Sequence, residues 1–252
     1  MIASKTIGFD RKIDIEWLDA VAGRVAAGDT SDEVRNFLWN FLEGVVAGDS
    51  VHSGRGKTLT VLSRIWVVVP ERAKPLRDAA LRCIVSATAE QRVAIHWAMA
   101  VGKYPFFCDV AGNLGRMLAL NERVSLSQVE RRMTESWGDR STLSRAIRRV
   151  LRSMVQWGVL RDTSKGTFIA PAKGIQVPDA IGELLLQAVL VSHGQGMPLS
   201  HLIRHPALFP FDIQVNAAAL RNSGCIQLQR QGDQTDFVEL GYAARGASAQ
   251  VA

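Results

Sequence analysis

The segment that most restricts the possible folds runs from about Val110 to Ala170. After Ser141, the apolar residues Leu143, Ile147, Val150, Leu151 and Met154 recur at helical spacing. Arg148, Arg149 and Arg152 stand three, four and seven residues beyond Arg145. On a helix of about 3.6 residues per turn these two sets occupy opposite sides. Such a helix must pack one flank against other elements and leave the other in water. Arg161 to Ile169 then reads as two short strands meeting at a Lys165-Gly166 tip. Between Arg116 and Lys165 there are eleven Arg/Lys against five Asp/Glu, an excess equal to the whole chain's formal net charge of +6. Positive charge concentrated on a groove-sized helix favours a polyanionic partner.

Upstream of that helix the pattern supplies two more. Pro105 marks a boundary, after which Phe107, Val110, Leu114 and Leu118 predict a helix over Phe106 to Leu120. Ser125 or Ser127 caps a second, with Val129 and Met133 inward, and Trp137-Gly138-Asp139 turns the chain. Ser141 is the expected cap of the third, and Gly158 lies near its end. Three helices followed by a hairpin is the order of a winged helix-turn-helix module.

Residues Ile15 to about Tyr104 predict a bundle of about five helices. Trp17, Leu18, Val21 and Val25 make one stripe; Val34, Phe37, Leu38, Phe41 and Leu42 make another, capped by Ser31 or Asp32. Pro75 suits the first turn of a helix bearing Leu76, Ala80 and Ile84, and Glu90 to Val101 continues the pattern. Beyond the basic segment the order recurs: an apolar helix over Asp179 to Val191, a second from Pro198 to about Ile203, and a third from Ile213 to Arg221. Strands over Cys225 to Gln229 and Thr235 to Leu240 then meet across Gly232-Asp233. Trp157-Gly158-Val159-Leu160 and Ser223-Gly224-Cys225-Ile226 share a grammar in which a helix ends and a strand opens. The expected architecture is mostly α: a helical bundle (1–104), a first winged module (105–174), a second winged-helix-like module (175–242) and a loose tail (243–252), each wing a small β-hairpin.

The candidate nucleic-acid-binding residues follow from this layout. Arg145, Arg148, Arg149 and Arg152 face phosphates or base edges of the major groove. Ser141, Thr142 and Ser144 sit at the helix start, where hydroxyls and backbone amides can donate to phosphates. Arg161 and Lys165 lie on the wing, Arg131 and Arg132 on the preceding helix, and Arg140 at the edge of the same surface. The alternatives are that these arginines only solvate a helix and pair with Glu130, Glu135 or Asp139, that the partner is RNA, or that the module faces a protein. The second module's third helix has only Arg221 as a basic side chain, beside Gln214, Asn216, Asn222 and Ala217 to Ala219. That composition suits a protein interface better than a polyanion clamp, although Gln227, Gln229, Arg230 and Gln231 can bring its wing to a nucleic acid.

Other motifs carry less. Gly54-Arg55-Gly56-Lys57-Thr58 ends like a nucleotide-binding phosphate loop, but Val51 stands where that motif needs its first glycine. An interhelix turn that lends Arg55 and Lys57 to the basic surface is the simpler account. His201 and His205 are four apart with His193 nearby, yet no cysteine or carboxylate cluster completes a metal site. His52 and His96 lack an evident nucleophile and acid partner. Cys83, Cys108 and Cys225 are few and far apart, as in a reducing compartment. No signal peptide is evident at Met1, and the run Ile65 to Val69 is too short to span a bilayer. The expectation is a cytoplasmic, non-enzymatic protein with no cofactor or metal. Its partner is double-stranded DNA, and its bundle and second module dimerise or dock other proteins. A transcriptional regulator and a protein-binding structural adaptor are the alternatives.

Three stretches add a resemblance. His52-Ser53-Gly54-Arg55-Gly56-Lys57-Thr58-Leu59 with Leu62-Ser63-Arg64-Ile65, Tyr104-Pro105-Phe106-Phe107-Cys108-Asp109-Val110, and Ser136-Trp137-Gly138-Asp139-Arg140-Ser141-Thr142-Leu143 through Arg148, Arg149 and Leu151 to Leu160 resemble accessory protein A of BREX phage-defence systems. The similarity covers about half the chain, from Asp32 to Leu160. It implies a mostly helical DNA-binding accessory within a multi-protein defence complex. It also implies that Thr142, Arg145, Arg148, Arg149 and Arg152 lie in the DNA-facing helix.

Overall fold

The computed structural model describes residues 6–164, 166–214, 220, 224–230 and 236–241. The chain is mostly helical with small sheets, as its periodicity requires. Five helices form the N-terminal part: α1 (Ile15–Ala26), α2 (Ser31–Phe41), α3 (Gly54–Trp66), α4 (Lys74–Ile84) and α5 (Ala89–Lys103). Thr30, and not Ser31 or Asp32, caps α2: its hydroxyl accepts from the Glu33 amide while the Glu33 carboxylate accepts from the Thr30 amide. Thr88 and Gln91 repeat the device at α5, and Pro75 sits in the first turn of α4.

Pro105 opens α6 (Pro105–Leu120), which leads through the two-residue strand β1 (Val124–Ser125) into α7 (Leu126–Trp137). Ser125 is the cap of α7, paired reciprocally with Gln128. After the Gly138 turn comes α8 (Leu143–Gln156), then β2 (Arg161–Ser164) and β3 (Thr167–Ile169). The three strands are antiparallel in the order β1-β3-β2, with Val124 opposite Phe168 and Arg161 opposite Ile169. The two short strands expected over Arg161 to Ile169 are present as this hairpin, while β1 is too short to leave a period-two signal. Lys165, at the expected tip, falls outside the described residues.

A related arrangement follows. After β4 (Ile175–Val177) come α9 (Asp179–His193), β5 (Met197–Pro198), the single turn α10 (Leu199–Leu202), a 3-10 turn (Pro206–Leu208) and β6 (Phe211–Ile213). β7 (Ile226–Arg230) and β8 (Asp236–Leu240) close a second antiparallel sheet in the order β5-β8-β7. In both sheets the last strand is central. In both units a glycine with positive φ leads into the hairpin: Gly158 at 75° and Gly224 at 68°, a conformation that costs other residues dearly. The expected helix from Ile213 to Arg221 needs correction at its start. Ile213 ends β6, which pairs in parallel with β4, and the rest of that helix lies outside the described residues except for buried Leu220. The Gly232-Asp233 turn also lies outside them.

One apolar core runs through all of these segments. Trp97 of α5 is completely buried, with its ring edge-on to Phe107 of α6 at 5.0 Å, Trp157 at 6.4 Å and Phe211 of β6 at 5.6 Å. Its indole N–H donates to the Ala207 carbonyl at 2.9 Å, which satisfies the one polar atom the ring carries inward. At Gly115 of α6 a Cβ would stand 2.2 Å from the Pro206 carbonyl oxygen, so only glycine lets the 3-10 turn close on that helix.

The N-terminal strap before α1 places α8. Phe9 is buried against Tyr104 and Phe107, with ring centroids 5.5 and 5.3 Å away. The Ile13 amide donates to Ser153 Oγ at 2.8 Å, Trp157 Nε1 donates to the Ile13 carbonyl at 2.9 Å, and the Ile15 amide donates to Gln156 Oε1 at 2.7 Å. The last turns of α8 are thereby stitched to the bundle from residues about 140 positions away in the chain. No described helix is long and apolar enough to cross a membrane.

Candidate nucleic-acid interface

α8 is divided as its sequence requires. Leu143, Ala146, Ile147, Val150, Leu151, Ser153 and Met154 are buried. Arg145, Arg148, Arg149 and Arg152 are all exposed, within an arc of about 100° on the opposite flank. Trp137, edge-on to Phe106 at 5.0 Å and donating to Asp109 Oδ2 at 2.9 Å, anchors the end of α7 on α6. That anchor fixes the turn from which α8 departs.

Two of the four guanidinium groups are paired. Arg148 Nε lies 3.2 Å from Glu130 Oε1 of α7, and an Arg152 terminal nitrogen lies 3.0 Å from Asp162 Oδ2 of β2. The arginine side chains keep 61% and 54% of their exposure while Glu130 and Asp162 keep 21% and 13%, so each pair is open to solvent on its arginine side and worth about 1 kcal/mol. Arg145 and Arg149 form no ion pair among the described residues. The partners are therefore half as expected: Glu130 takes Arg148, Glu135 takes Arg132 at 3.3 Å, and Asp162 was not anticipated. Asp162 also accepts from the Gly166 amide at 3.1 Å, so one carboxylate holds both the hairpin tip and the ridge.

The start of α8 differs from expectation. Thr142, not Ser141, is the N-cap; its backbone is already helical, and its hydroxyl caps no amide. Leu143 N–H returns to the Arg140 carbonyl at 2.9 Å in a turn. Ser141, Thr142 and Ser144 are exposed, with the helix start open to solvent at a place where partial positive charge gathers. Arg140 and Arg161 are exposed at the two ends of the ridge. Arg131 and Arg132 are exposed too, but they line a groove between α6 and α7 together with Arg116, separate from the cleft at the start of α8.

The glycine-rich motif is the first turn of α3, capped by Ser53, and not a turn between helices. A Cβ on Gly56 would stand 2.4 Å from the Val51 carbonyl oxygen, so the second glycine serves close backbone packing. Arg55 does not join the basic surface. It is 4% exposed, with its guanidinium 4.1 Å from the Trp39 ring centroid, 2.9 Å from Asp49 and 3.7 Å from Glu43. Lys57, one residue from the second glycine, is exposed.

The histidines also regroup. α10 stops at Leu202, so His201 and His205 do not share a helix. His205 instead meets His193, Nε2 to Nε2 at 3.1 Å, and burial, the neighbouring His193 and Arg116 push it down to about 4. Among the described residues no group of three or more His, Cys, Asp or Glu side chains is placed to hold a metal ion. His96 is fully buried, and desolvation lowers its pKa against the opposing pull of Asp19. Its Nε2 lies 2.9 Å from Asp19 Oδ1, on which Arg92 also converges at 2.9 Å. Burial raises the Asp19 carboxyl, but the bonds and charge from His96 and Arg92 outweigh that and leave it below the usual range. The triad ties α1 to α5: His96 is sealed in the core, while Asp19 and Arg92 are half-buried and line a pocket at the surface. Composition could not reveal it because its members are 73 and 77 residues apart.

What this surface can do chemically is bind. It offers exposed guanidinium donors on a rigid, well-packed helix, with hydroxyls and amides at that helix's start. No protein-family model matches the chain, nor does any curated protein or solved structure match it.

Proposed function

We propose that this chain is a non-enzymatic protein that binds double-stranded DNA through α8, carried on a winged helix-turn-helix module formed by α6, β1, α7, α8, β2 and β3. The observation that carries this reading is the exposed row Arg145, Arg148, Arg149 and Arg152 on a helix whose other flank is sealed in the core. The strand order β1-β3-β2 and the succession helix, strand, helix, helix, hairpin support the module. Arginine forks suit phosphate and guanine edges, and a helix of this girth suits the major groove. Arg161 at the hairpin and Ser141, Thr142 and Ser144 at the helix start add phosphate donors. Binding through phosphates positions the protein without selecting sequence.

The second unit, α9 with β5, α10, β7 and β8, is proposed as a winged-helix-like module that docks other proteins. Its charge and the shortness of α10 suit packing better than polyanion capture. The resemblance to BREX accessory protein A supports a place in a multi-protein phage-defence complex, with DNA positioning as the chain's contribution.

The decisive measurement is titration of a labelled duplex at about 50 and about 200 mM salt. Wild type should bind with a steep salt dependence. Replacing all four ridge arginines by Ala should reduce the slope of log K against log salt by about 3 to 4, with helicity retained. Wild type that fails to bind duplex sinks the proposal and leaves a protein-binding adaptor.

A further inference from the structure

Beside the ridge, a cleft of about 530 Å³ separates α3 from the start of α8. Lys57 and Arg64 of α3 face it from the bundle, Arg140 and Arg145 from the other side, and the strap adds Asp10 as the only carboxylate among its described lining residues. Some of the chain's cations are paired, as Lys74 is with Glu71, Arg77 with Asp78, Arg92 with Asp19 and Arg132 with Glu135. Lys57, Arg64 and Arg145 have no ion-pair partner among the described residues, and Asp10 lies 3.9 Å from Arg11. Like charges gathered from separate parts of the fold repel one another until an anion enters between them.

The cleft's chemistry narrows that anion. Its described lining holds no aromatic ring on which a base could stack and no carboxamide that could read one, so a free nucleotide finds only its phosphates recognised. Lys57 and Arg64 are seven residues apart, on one face of α3, which sets them about 10 Å apart along the helix axis. A strand of B-DNA rises by about 3.4 Å per nucleotide, so that spacing spans about three of them. The positive band also continues past α3. Lys103 at the end of α5 is pushed below its ordinary value by burial and by the nearby Arg64 and Arg72.

We propose that this cleft seats the phosphate backbone of the same duplex that α8 engages, making the N-terminal bundle part of the DNA interface. The proposal rests on the reading of α8 as a DNA-binding helix. The bundle then sets the direction in which the duplex leaves the ridge, because the strap bonds at Ile13 and Trp157 hold α8 and the bundle together. A site assembled in this way needs a longer duplex than a winged module alone.

The test uses the full chain with Lys57→Ala and Arg64→Ala combined, both on exposed side chains, against a ridge variant with Arg148, Arg149 and Arg152 replaced by Ala. Labelled duplexes of about one helical turn (roughly 10 base pairs) and about three turns are titrated across a salt series. The cleft variant should bind the long duplex about tenfold more weakly, with the salt slope lower by about 2, and bind the short duplex within twofold of wild type. The charge-preserving pair Lys57→Arg and Arg64→Lys should restore the long-duplex affinity. If the ridge variant loses binding while the cleft variant matches wild type on both lengths, the cleft proposal is overturned and the ridge stands. Equal loss on both lengths also overturns it, since the contact would then add no reach. Failure of wild type to bind either duplex overturns both readings.

Discussion

The unit from α6 to β3 and the unit from α9 to β8 share a strand order and a left-handed glycine before the hairpin, yet they do opposite things with their surfaces. Residues 105–174 carry twelve Lys/Arg against six Asp/Glu; residues 175–242 carry three against six. In the first unit, α8 keeps one flank free. In the second, α9, which stands where α6 does in the first, is buried from Ile181 through Val191 at nearly every position, because α5 packs along it while β8 and the 3-10 turn cover it elsewhere. A shared strand order therefore leaves the charge that each unit carries open. The net charge differs in sign, a balance that favours a polyanion near the first unit and opposes one near the second.

That contrast can be broken most forcefully at the ridge. Neutralising Arg145, Arg148, Arg149 and Arg152 should weaken duplex binding by at least about 100-fold near 100 mM salt, whereas Arg204→Ala with Arg230→Ala should change it less than about twofold. Comparable losses from both sets, measured by fluorescence anisotropy, would show that the two units share the work. The next effect concerns the junction. Gly115→Ala sets a methyl against the Pro206 carbonyl and should cost about 1–3 kcal/mol in denaturant unfolding. Duplex affinity well below the unfolding midpoint should be retained, because the added methyl meets Pro206 and Phe209 of the second unit and not α8. An affinity loss matching the ridge variant would mean that the junction sets the ridge's geometry.

Acid should separate the units as well. Burial, with His193 and Arg116 nearby, pushes His205 from its ordinary 6.5 down to about 4 in the folded chain, so below pH 6.5 the unfolded chain takes up a proton that the folded one refuses. Stability conferred by the neutral ring is thus complete above pH 6.5 and declines as pH falls toward 4. Buried His96, also lowered, acts in the same direction. His205→Asn should flatten the decline in a thermal-melt series over that window, and an unchanged pH profile would remove His205 from the account. The smallest effect belongs to Asp162. Asp162→Asn should change stability by no more than about 1 kcal/mol, since Asn keeps an acceptor for the Gly166 amide and the Arg152 side of the pair is solvated, and should tighten duplex binding two- to threefold by releasing that arginine. Weaker binding would show that the carboxylate orients the ridge instead of competing for it.

The ridge was readable from sequence because helix periodicity is local: residues three, four and seven apart share a face wherever the helix sits. The hairpin was readable for a similar reason, since β2 and β3 meet across one glycine-containing turn. Arg55 was misread because its environment comes from Trp39, Glu43 and Asp49, which converge only when α2 and α3 pack. The His193–His205 pair was missed because Pro206 begins a 3-10 turn that swings His205 away from His201. β4 and β6 were invisible because their pairing is parallel and 36 residues apart, with three residues each and no alternation to detect.

By itself, then, the order of residues determined that this chain would build amphipathic helices, that one of them would present a row of arginines, and that a glycine-tipped hairpin would follow. Those properties depend on neighbours within a few positions. Tertiary packing alone decided that the strap would bind α8 to the bundle, that Arg55 would be buried while Lys57 stayed in water, and that Arg64 would face Arg145 across a cleft. Such outcomes follow from chain segments far apart in sequence competing to bury apolar surface, and no local spacing encodes the winner.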